Sequence, residues 1–402
     1  MDRHVTLDEL ATRRVGVTPI PSGSLAWVTA SLTVSTISAD QHLAFVAGRP
    51  SASFLQLPSW AAVKTEWRSE SIGWFTDNGA LAGVALVLYR KLPKVQRYLA
   101  YLPEGPVIDW DANDLSRWLD PMVIHLREKG AFGVRMGPPV VTRRWKAATI
   151  KKAIADDALR TLGEVPADEN DGNGLAVVDS LTTLGWREIP TEGGFSAGQP
   201  KYNFHLAVGE RSEDEVLRGM NQLWRRNIKK ATKAGVEVRV GGRDDLSEFH
   251  RIYAETAERD HFTPRPLAYF EKMYDALTAE HPQRMRLYLA EHEGDLVAAT
   301  TLVQVGEHAW YSYGASTTAK REVRGSNAIQ WQMIRDAMAA GATVYDLRGI
   351  TDTLDSDDPH LGLIQFKVGT GGDAVAYAGE WDLPISKVLY TAFDQYMKRR
   401  RS

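Results

Sequence analysis

The stretch "SIGWFTDNGALAGVALVLYR" (71–90) alternates into a turn at Asp77-Asn78-Gly79 and out again, the signal of a β-hairpin. Far down the chain "MRLYLAEHEGDLVAATTLVQV" (285–305) does the same around His292-Glu293-Gly294-Asp295. An aromatic strand follows each hairpin, "RYLAYLPEGP" in one case and "HAWYSYGAS" in the other. A helical pattern comes next, "DLSRWLDPMVIHLREKG" and "SNAIQWQMIRDAMAAG". Both helices stop at a Gly-Ala pair and run at once into a strand, "FGVRMGPP" and "TVYDLRGI". Two more helical stretches precede each hairpin, "DQHLAFVAG" with "PSWAAVKTEW", and "DLSEFHRIYAETAERD" with "PLAYFEKMYDAL". One order of elements is therefore written twice, which predicts an internal duplication of a mixed-sheet α/β unit.

A chain of 402 residues, 44% of them hydrophobic, has enough apolar material for two ordinary cores. It has no cysteine, which removes disulfides, a thiolate nucleophile and cysteine metal sites, and fits a reducing compartment. The N-terminus lacks the apolar run of a signal sequence, and no stretch reaches the roughly 18 apolar residues of a membrane span. The expectation is a soluble, cytoplasmic protein. Residues 1–30 have weak periodicity and are expected to be disordered. Residues 155–175, within "IADDALRTLGEVPADENDGNG", read as an exposed, mobile insertion. The closing "YMKRRRS" reads as a solvated tail.

Charge is balanced overall, 48 Lys+Arg against 51 Asp+Glu, so attraction to a polyanion must be local. It concentrates in "NQLWRRNIKKATKAGVEVRV" from Asn221. On a helix this sets Arg225, Lys229 and Lys233 on one ridge and Arg226 and Lys230 on the next, with Trp224, Ile228 and Ala231 as anchors. Other motifs carry less. "GFSAG" (194–198) has the spacing of a serine nucleophile but lacks the strand before and helix after that Ser196 would need. "DTLDSDDPH" (352–360) is a carboxylate-rich loop, read as solvated, and no metal ligand set is expected. "VGTGGD" lacks the Lys-Ser/Thr ending of a phosphate loop.

The hairpin, strand, helix, strand order resembles GNAT-type acyltransferases, whose acyl-CoA versions hold a pyrophosphate on a Gln/Arg-x-x-Gly-x-Gly/Ala loop. The matching loop here, "EVRGSN", has Glu322 and Asn327 at the deciding positions, so acyl-CoA is not the expected donor. A wider likeness spans the chain from about Ser31. Taken together and in order, "SFLQLPSW" with "VKTEW", "YLPEGPVID", "RMGPPV", "GFSAGQPKYNF", "RRNIKKATKAGVEV", "HFTPRPLAYFEKM", "WYSYGAS", "YDLRGI" and "LIQFKVGTGG" resemble the Fem family. That family comprises nonribosomal aminoacyltransferases that build peptidoglycan interpeptide bridges from aminoacyl-tRNA. The resemblance implies two tandem GNAT-like domains, the first from residues 1–202 and 378–402 and the second from 203–377. The long helical arm of some members is absent, because the chain passes from "VGERSEDEVLRGMNQLW" straight through the basic helix.

An aminoacyl ester is already activated, so amide formation needs an unprotonated amine held against the carbonyl and a cation for the developing oxyanion. The resemblance implies that Lys367 supplies that cation, with Phe366 packing on the terminal adenosine of the tRNA. It implies that Lys64 and Arg226 grip the anionic muropeptide, and that Tyr311 and Tyr313, at alternate strand positions, line its channel from one face. Lys229, Lys230 and Lys233 are expected on the tRNA backbone. The implied partners are aminoacyl-tRNA and a lipid-linked or UDP-linked peptidoglycan precursor, with peripheral contact at the inner membrane face and no cofactor. Glycine, alanine and serine all stay open as the residue transferred. Two other readings stay open: a tRNA-dependent transferase acting on a peptide antibiotic or protein N-terminus, and a non-catalytic RNA-binding module.

Overall fold

A computed structural model describes residues 31–93, 95–190 and 198–401. The first 30 residues and Ser196 of the "GFSAG" motif lie outside the described residues. The first unit runs β1 (Thr33–Thr36), α1 (Ala39–Ala47), α2 (Pro58–Val63), β2 (Arg68–Phe75), β3 (Leu81–Lys91), β4 (Tyr98–Leu102), α3 (Leu115–Glu128) and β5 (Ala131–Met136). A connecting stretch holds β6 (Val141–Lys146), α4 (Ala147–Ile154), β7 (Glu169–Asn170), α5 (Gly172–Thr183), β8 (Arg187–Glu188), β9 (Tyr202–Ala207), α6 (Glu213–Gly219) and α7 (Gln222–Lys233). The second unit repeats the first as β10 (Glu237–Gly241), α8 (Leu246–Arg259), α9 (Leu267–Glu280), β11 (Met285–His292), β12 (Asp295–Val305), β13 (His308–Ser316), α10 (Gly325–Ala339) and β14 (Val344–Ile350). The chain closes with α11 (Leu361–Val368), β15 (Asp373–Tyr377), β16 (Trp381–Pro384) and α12 (Lys387–Arg401).

The two sheets repeat one another over their first five strands. The first is ordered β1-β2-β3-β4-β5-β16-β8 and the second β10-β11-β12-β13-β14-β9-β15-β6-β7. In each, the helix after the fourth strand returns the chain to a parallel fifth strand, β4 to β5 and β13 to β14. Gly130 and Gly341 end those helices at φ 91° and 81°, a conformation that a side chain would strain. This tandem mixed-sheet arrangement is the expected GNAT-like fold.

Alternate residues of β3 enter different cores. Ala85, Val87 and Tyr89 pack with Trp118, Leu119 and Met122 of α3, while Val84, Leu86 and Leu88 pack with Phe54, Leu57 and Trp60. The latter core continues into the second unit through Met273, Leu277 and Trp310, so the two units share apolar packing. Burying each such side chain contributes about 1.5–3 kcal/mol.

The sheets divide the chain differently from the expected spans. β16 and α12 return to the first unit, but β6 and β7, inside 1–202, extend the second sheet. The reason is burial: Trp145 belongs to the second core, where its Nε1 donates to Val165 O at 2.9 Å. Residues 155–175 are likewise not a free insertion. Leu162 and Val165 are buried, the Leu162 amide donates to Asp352 O at 2.7 Å, and Asp171 caps α5 through the Gly174 amide. The basic C-terminal run, expected as a tail, forms the end of α12, whose Phe393 packs on Phe132. Among the described residues no helix is long and apolar enough to cross a membrane.

Candidate active site

The units differ where the parallel strands meet. β4 and β5 pair along Tyr98–Leu102 and Ala131–Met136, whereas β13 and β14 pair only over His308–Trp310 and Val344–Asp346. Past Asp346 the register of β14 against β9 shifts, and Arg348 takes φ 63°. This is a β-bulge, a device that re-aims backbone groups beside sites. Asp346 holds it, since Oδ1 accepts the Arg348 amide at 2.5 Å. The carbonyls of Arg348 and Gly349 are thereby turned onto Lys367 Nζ, at 3.2 and 2.7 Å.

Lys367 is the residue that the resemblance implies as the cation for the oxyanion. It lies in the last turn of α11, 3% exposed. The helix is fixed from outside: Trp224 Nε1 donates to Phe366 O at 2.8 Å, and the two rings stand 4.7 Å apart. Gly369 lets Trp224 approach, since a Cβ there would come within 2.3 Å of its ring. Burial lowers the Lys367 ammonium to about 7, with Asp346 opposing the fall and Arg348 adding to it.

Asp346 is fully buried, and burial alone would raise its carboxyl. His205 and His308 hold it well below the carboxylate range, their Nε2 atoms 3.5 and 3.3 Å from Oδ2. Among the described residues these three are the grouping of imidazoles and a carboxylate close enough to share an ion. With both rings on one oxygen and the Arg348 amide on the other, the group forms a closed hydrogen-bonded knot. Tyr377 OH, 3.1 Å from His205 Nε2, borders it. Arg348 Nη1 donates to Glu104 Oε1 at 2.8 Å, and Glu104 also accepts from Ser53, which ties this centre to the first unit.

On one side of the sheet a cavity of about 380 Å³ opens between α7, α10 and α11, lined by Asn221, Trp224, Arg321, Arg324, Ser326 and Phe366 among others. The sequence drew attention to Glu322, but the neighbouring cations Arg321 and Arg324 line the space. Lys229, Lys230, Lys233 and Arg226 are exposed on α7, whose Trp224, Ile228 and Ala231 face the core as their spacing requires.

On the other side, where α2 packs on α9, Lys64 Nζ stands 5.4 Å from the Tyr269 ring and Arg265 Cζ 4.7 Å from it. Burial, then Arg265, lowers the Lys64 ammonium, against an upward pull from Glu66. The cation beside Lys64 is therefore Arg265, not Arg226, which sits on a helix packed in the opposite core. Arg265 was missed because only tertiary packing joins "TPRPLAYF" to "WAAVKTEW".

Tyr311 and Tyr313 do not share a face. A bulge at Ser312 sets them opposite the consecutive residues Leu302 and Thr301. Tyr311 packs in the core beneath α10, where burial pushes its hydroxyl up to about 12. Tyr313 faces α8 and α9, its OH 3.1 Å from Tyr269 OH. In the "DTLDSDDPH" loop, Asp355 pairs with Arg160 at 2.7 Å and Asp358 with His360 at 2.9 Å.

The tandem fold is GNAT-like, and in its second unit the bulged, parted strand pair lies over the buried Lys367. The FemAB family model matches residues 37–293 and 278–399, and the chain belongs to that family. Curated relatives include a protein named lipid II:glycine glycyltransferase from Staphylococcus epidermidis (strain ATCC 35984), 24% identical over 426 residues, covering 90% of this chain and 95% of the relative. A protein of the same name from Staphylococcus aureus (strain USA300) is 24% identical over 432 residues, with the same coverage. Among solved structures, a crystal structure of FemX superposes with TM-score 0.75 at 23% identity, covering 89% of this chain and 99% of that one.

Proposed function

We propose that the protein transfers one amino acid, glycine, alanine or serine, from aminoacyl-tRNA to the stem-peptide amine of a lipid-linked peptidoglycan precursor. The observation that carries this reading is the placement of Lys367, a buried lysine at the parted strands between an aromatic, cationic cavity and a separate pair of cations. The names of the relatives and the family membership agree with it.

In this reading the tRNA end occupies the cavity, with its terminal base on Phe366 and Trp224 and its phosphates near Arg321 and Arg324. Lys229, Lys230 and Lys233 of α7 extend the cationic track. The acceptor's phosphate lies on Lys64 and Arg265, and its stem passes Tyr313 to the cleft. The amine nitrogen attacks the ester carbonyl, a C–N bond forms, the C–O bond to the ribose breaks, and the amine proton ends on the ribose oxygen. The Lys367 ammonium donates to the carbonyl oxygen as negative charge develops there. Low dielectric around that site strengthens the donation.

The test is incubation of the purified protein with charged tRNAs and with lipid-linked and UDP-linked precursors, read by mass spectrometry. A gain of one amino-acid residue on the precursor is the expected result. No gain with any of the three amino acids would refute the reading.

A further inference from the structure

Leu92, Leu99, Phe132 and Phe393 form a small core that fastens α12 to the junction of β3, β4 and β5. Outside that core Lys91, Arg97, Lys387, Lys398 and Arg399 are all exposed, with Val95 and Val388 among them at 40% and 79% exposure. Asp394 offsets one of these cations, pairing with Lys398 at 3.0 Å. The surface is thus cationic on a chain whose formal charge is -3.

Cation–aromatic contacts join this surface to the acceptor side of the cleft. Arg90 Cζ lies 5.8 Å from the Phe393 ring and 5.7 Å from the Trp67 ring. The Trp67 amide in turn donates to Lys64 O at 2.9 Å. The patch is therefore joined to Lys64 along one side of the first unit, and through the Tyr269 ring to Arg265 of the second.

We propose that this face seats the protein on an anionic lipid bilayer, with α12 and the β3–β4 turn against the headgroups. An acceptor phosphate at the bilayer surface then lies within reach of Lys64 and Arg265. The inference rests on the proposed acceptor, not on the donor. Lysines and arginines near an anionic surface attract it within a Debye length, and apolar stems and valines settle among headgroups. RNA is the weaker match, because the cavity and the α7 cations belong to the opposite side of the second unit.

The test is sedimentation of the full chain with phosphatidylglycerol–phosphatidylcholine vesicles against phosphatidylcholine alone, at low and high salt. Binding to the anionic vesicles is expected, lost at high salt and reduced about tenfold or more in a K91E/R97E/K398E variant. Equal binding to neutral vesicles, or unchanged binding after charge reversal, overturns the proposal. So does a variant that loses tRNA affinity while keeping vesicle affinity, which would make the face a nucleic-acid surface. Transfer to a water-soluble precursor is measured in parallel. The variant is expected to retain it, and its absence in the parent protein would count against the functional reading while leaving the vesicle result to stand by itself.

Discussion

Lys367 is held where its charge can be used and where that charge is costly. Two carbonyls accept from its Nζ, yet full burial brings its ammonium down to about 7. Lys367→Met keeps the bulk and removes the donor, so transfer should fall roughly a hundredfold or more, while precursor affinity, measured by calorimetry, should hold. The sign of the pH dependence follows. Lys367 is charged below about 7 and loses its proton above, so the rate should decline on the alkaline side, whereas acid protonates the attacking amine. Asp346→Asn retains an oxygen for the Arg348 amide but removes the negative charge that favours the ammonium. The alkaline decline should move to lower pH and the rate at neutrality drop roughly tenfold. A pH–rate profile unchanged in Asp346→Asn would show that this carboxylate does not control Lys367.

At the scale of elements, Glu70 joins four of them. It lies on β2, accepts from Thr36 of β1, from Tyr89 OH of β3 at 2.7 Å, and pairs with His125 Nε2 of α3 at 3.0 Å. Burial opposes ionisation, yet His125, Thr36 and Tyr89 together lower the carboxyl to about 2. A depressed carboxyl stabilises the fold fully above its unfolded value near 4.5 and loses that contribution as pH falls toward 2. Glu70→Gln should therefore cost about 1–3 kcal/mol at neutral pH in urea unfolding, with the gap closing near pH 2–3. What the sequence disclosed about elements was local. Hairpins, glycine stops and the inward face of α7 follow from turn chemistry and periodicity, and all were legible. The Ser312 bulge was not, because register depends on the partner strand, and it separated two tyrosines that simple alternation placed together. The position of α11 was not legible either, because it is held by the distant Trp224. The Lys64–Arg265 pair and the membership of β6 in the second sheet exist only once distant segments pack.

Across the whole molecule two similar units differ at their parallel strand pairs. The first pairs its parallel strands along the full length of β4, and the loop beyond that strand makes a contact with the second. Glu104, from the loop, reaches Arg348 at the bulge of the second unit, and the Arg348 guanidinium stands 5.7 Å from the ring of Phe54, a member of the shared core with Trp60, Met273 and Trp310. Removing the Glu104 charge leaves the partly buried Arg348 with Asp346 as its remaining anionic neighbour, so Glu104→Gln should destabilise the protein by about 1–3 kcal/mol. Arg348→Met alone should cost less than that, because Ser53 still donates to Glu104. The double variant should recover part of the loss, giving a coupling energy of about 1–3 kcal/mol in a mutant cycle. Because the shared core also joins the units, the parent chain should unfold in one calorimetric transition, and Glu104→Gln should begin to split it. Two well-separated transitions in the parent would mean that the units fold independently and that Glu104 only trims the edge of the cleft. A single transition that the substitution divides would make the Glu104–Arg348 pair the link through which the first unit holds the bulge, and hence Lys367, in place.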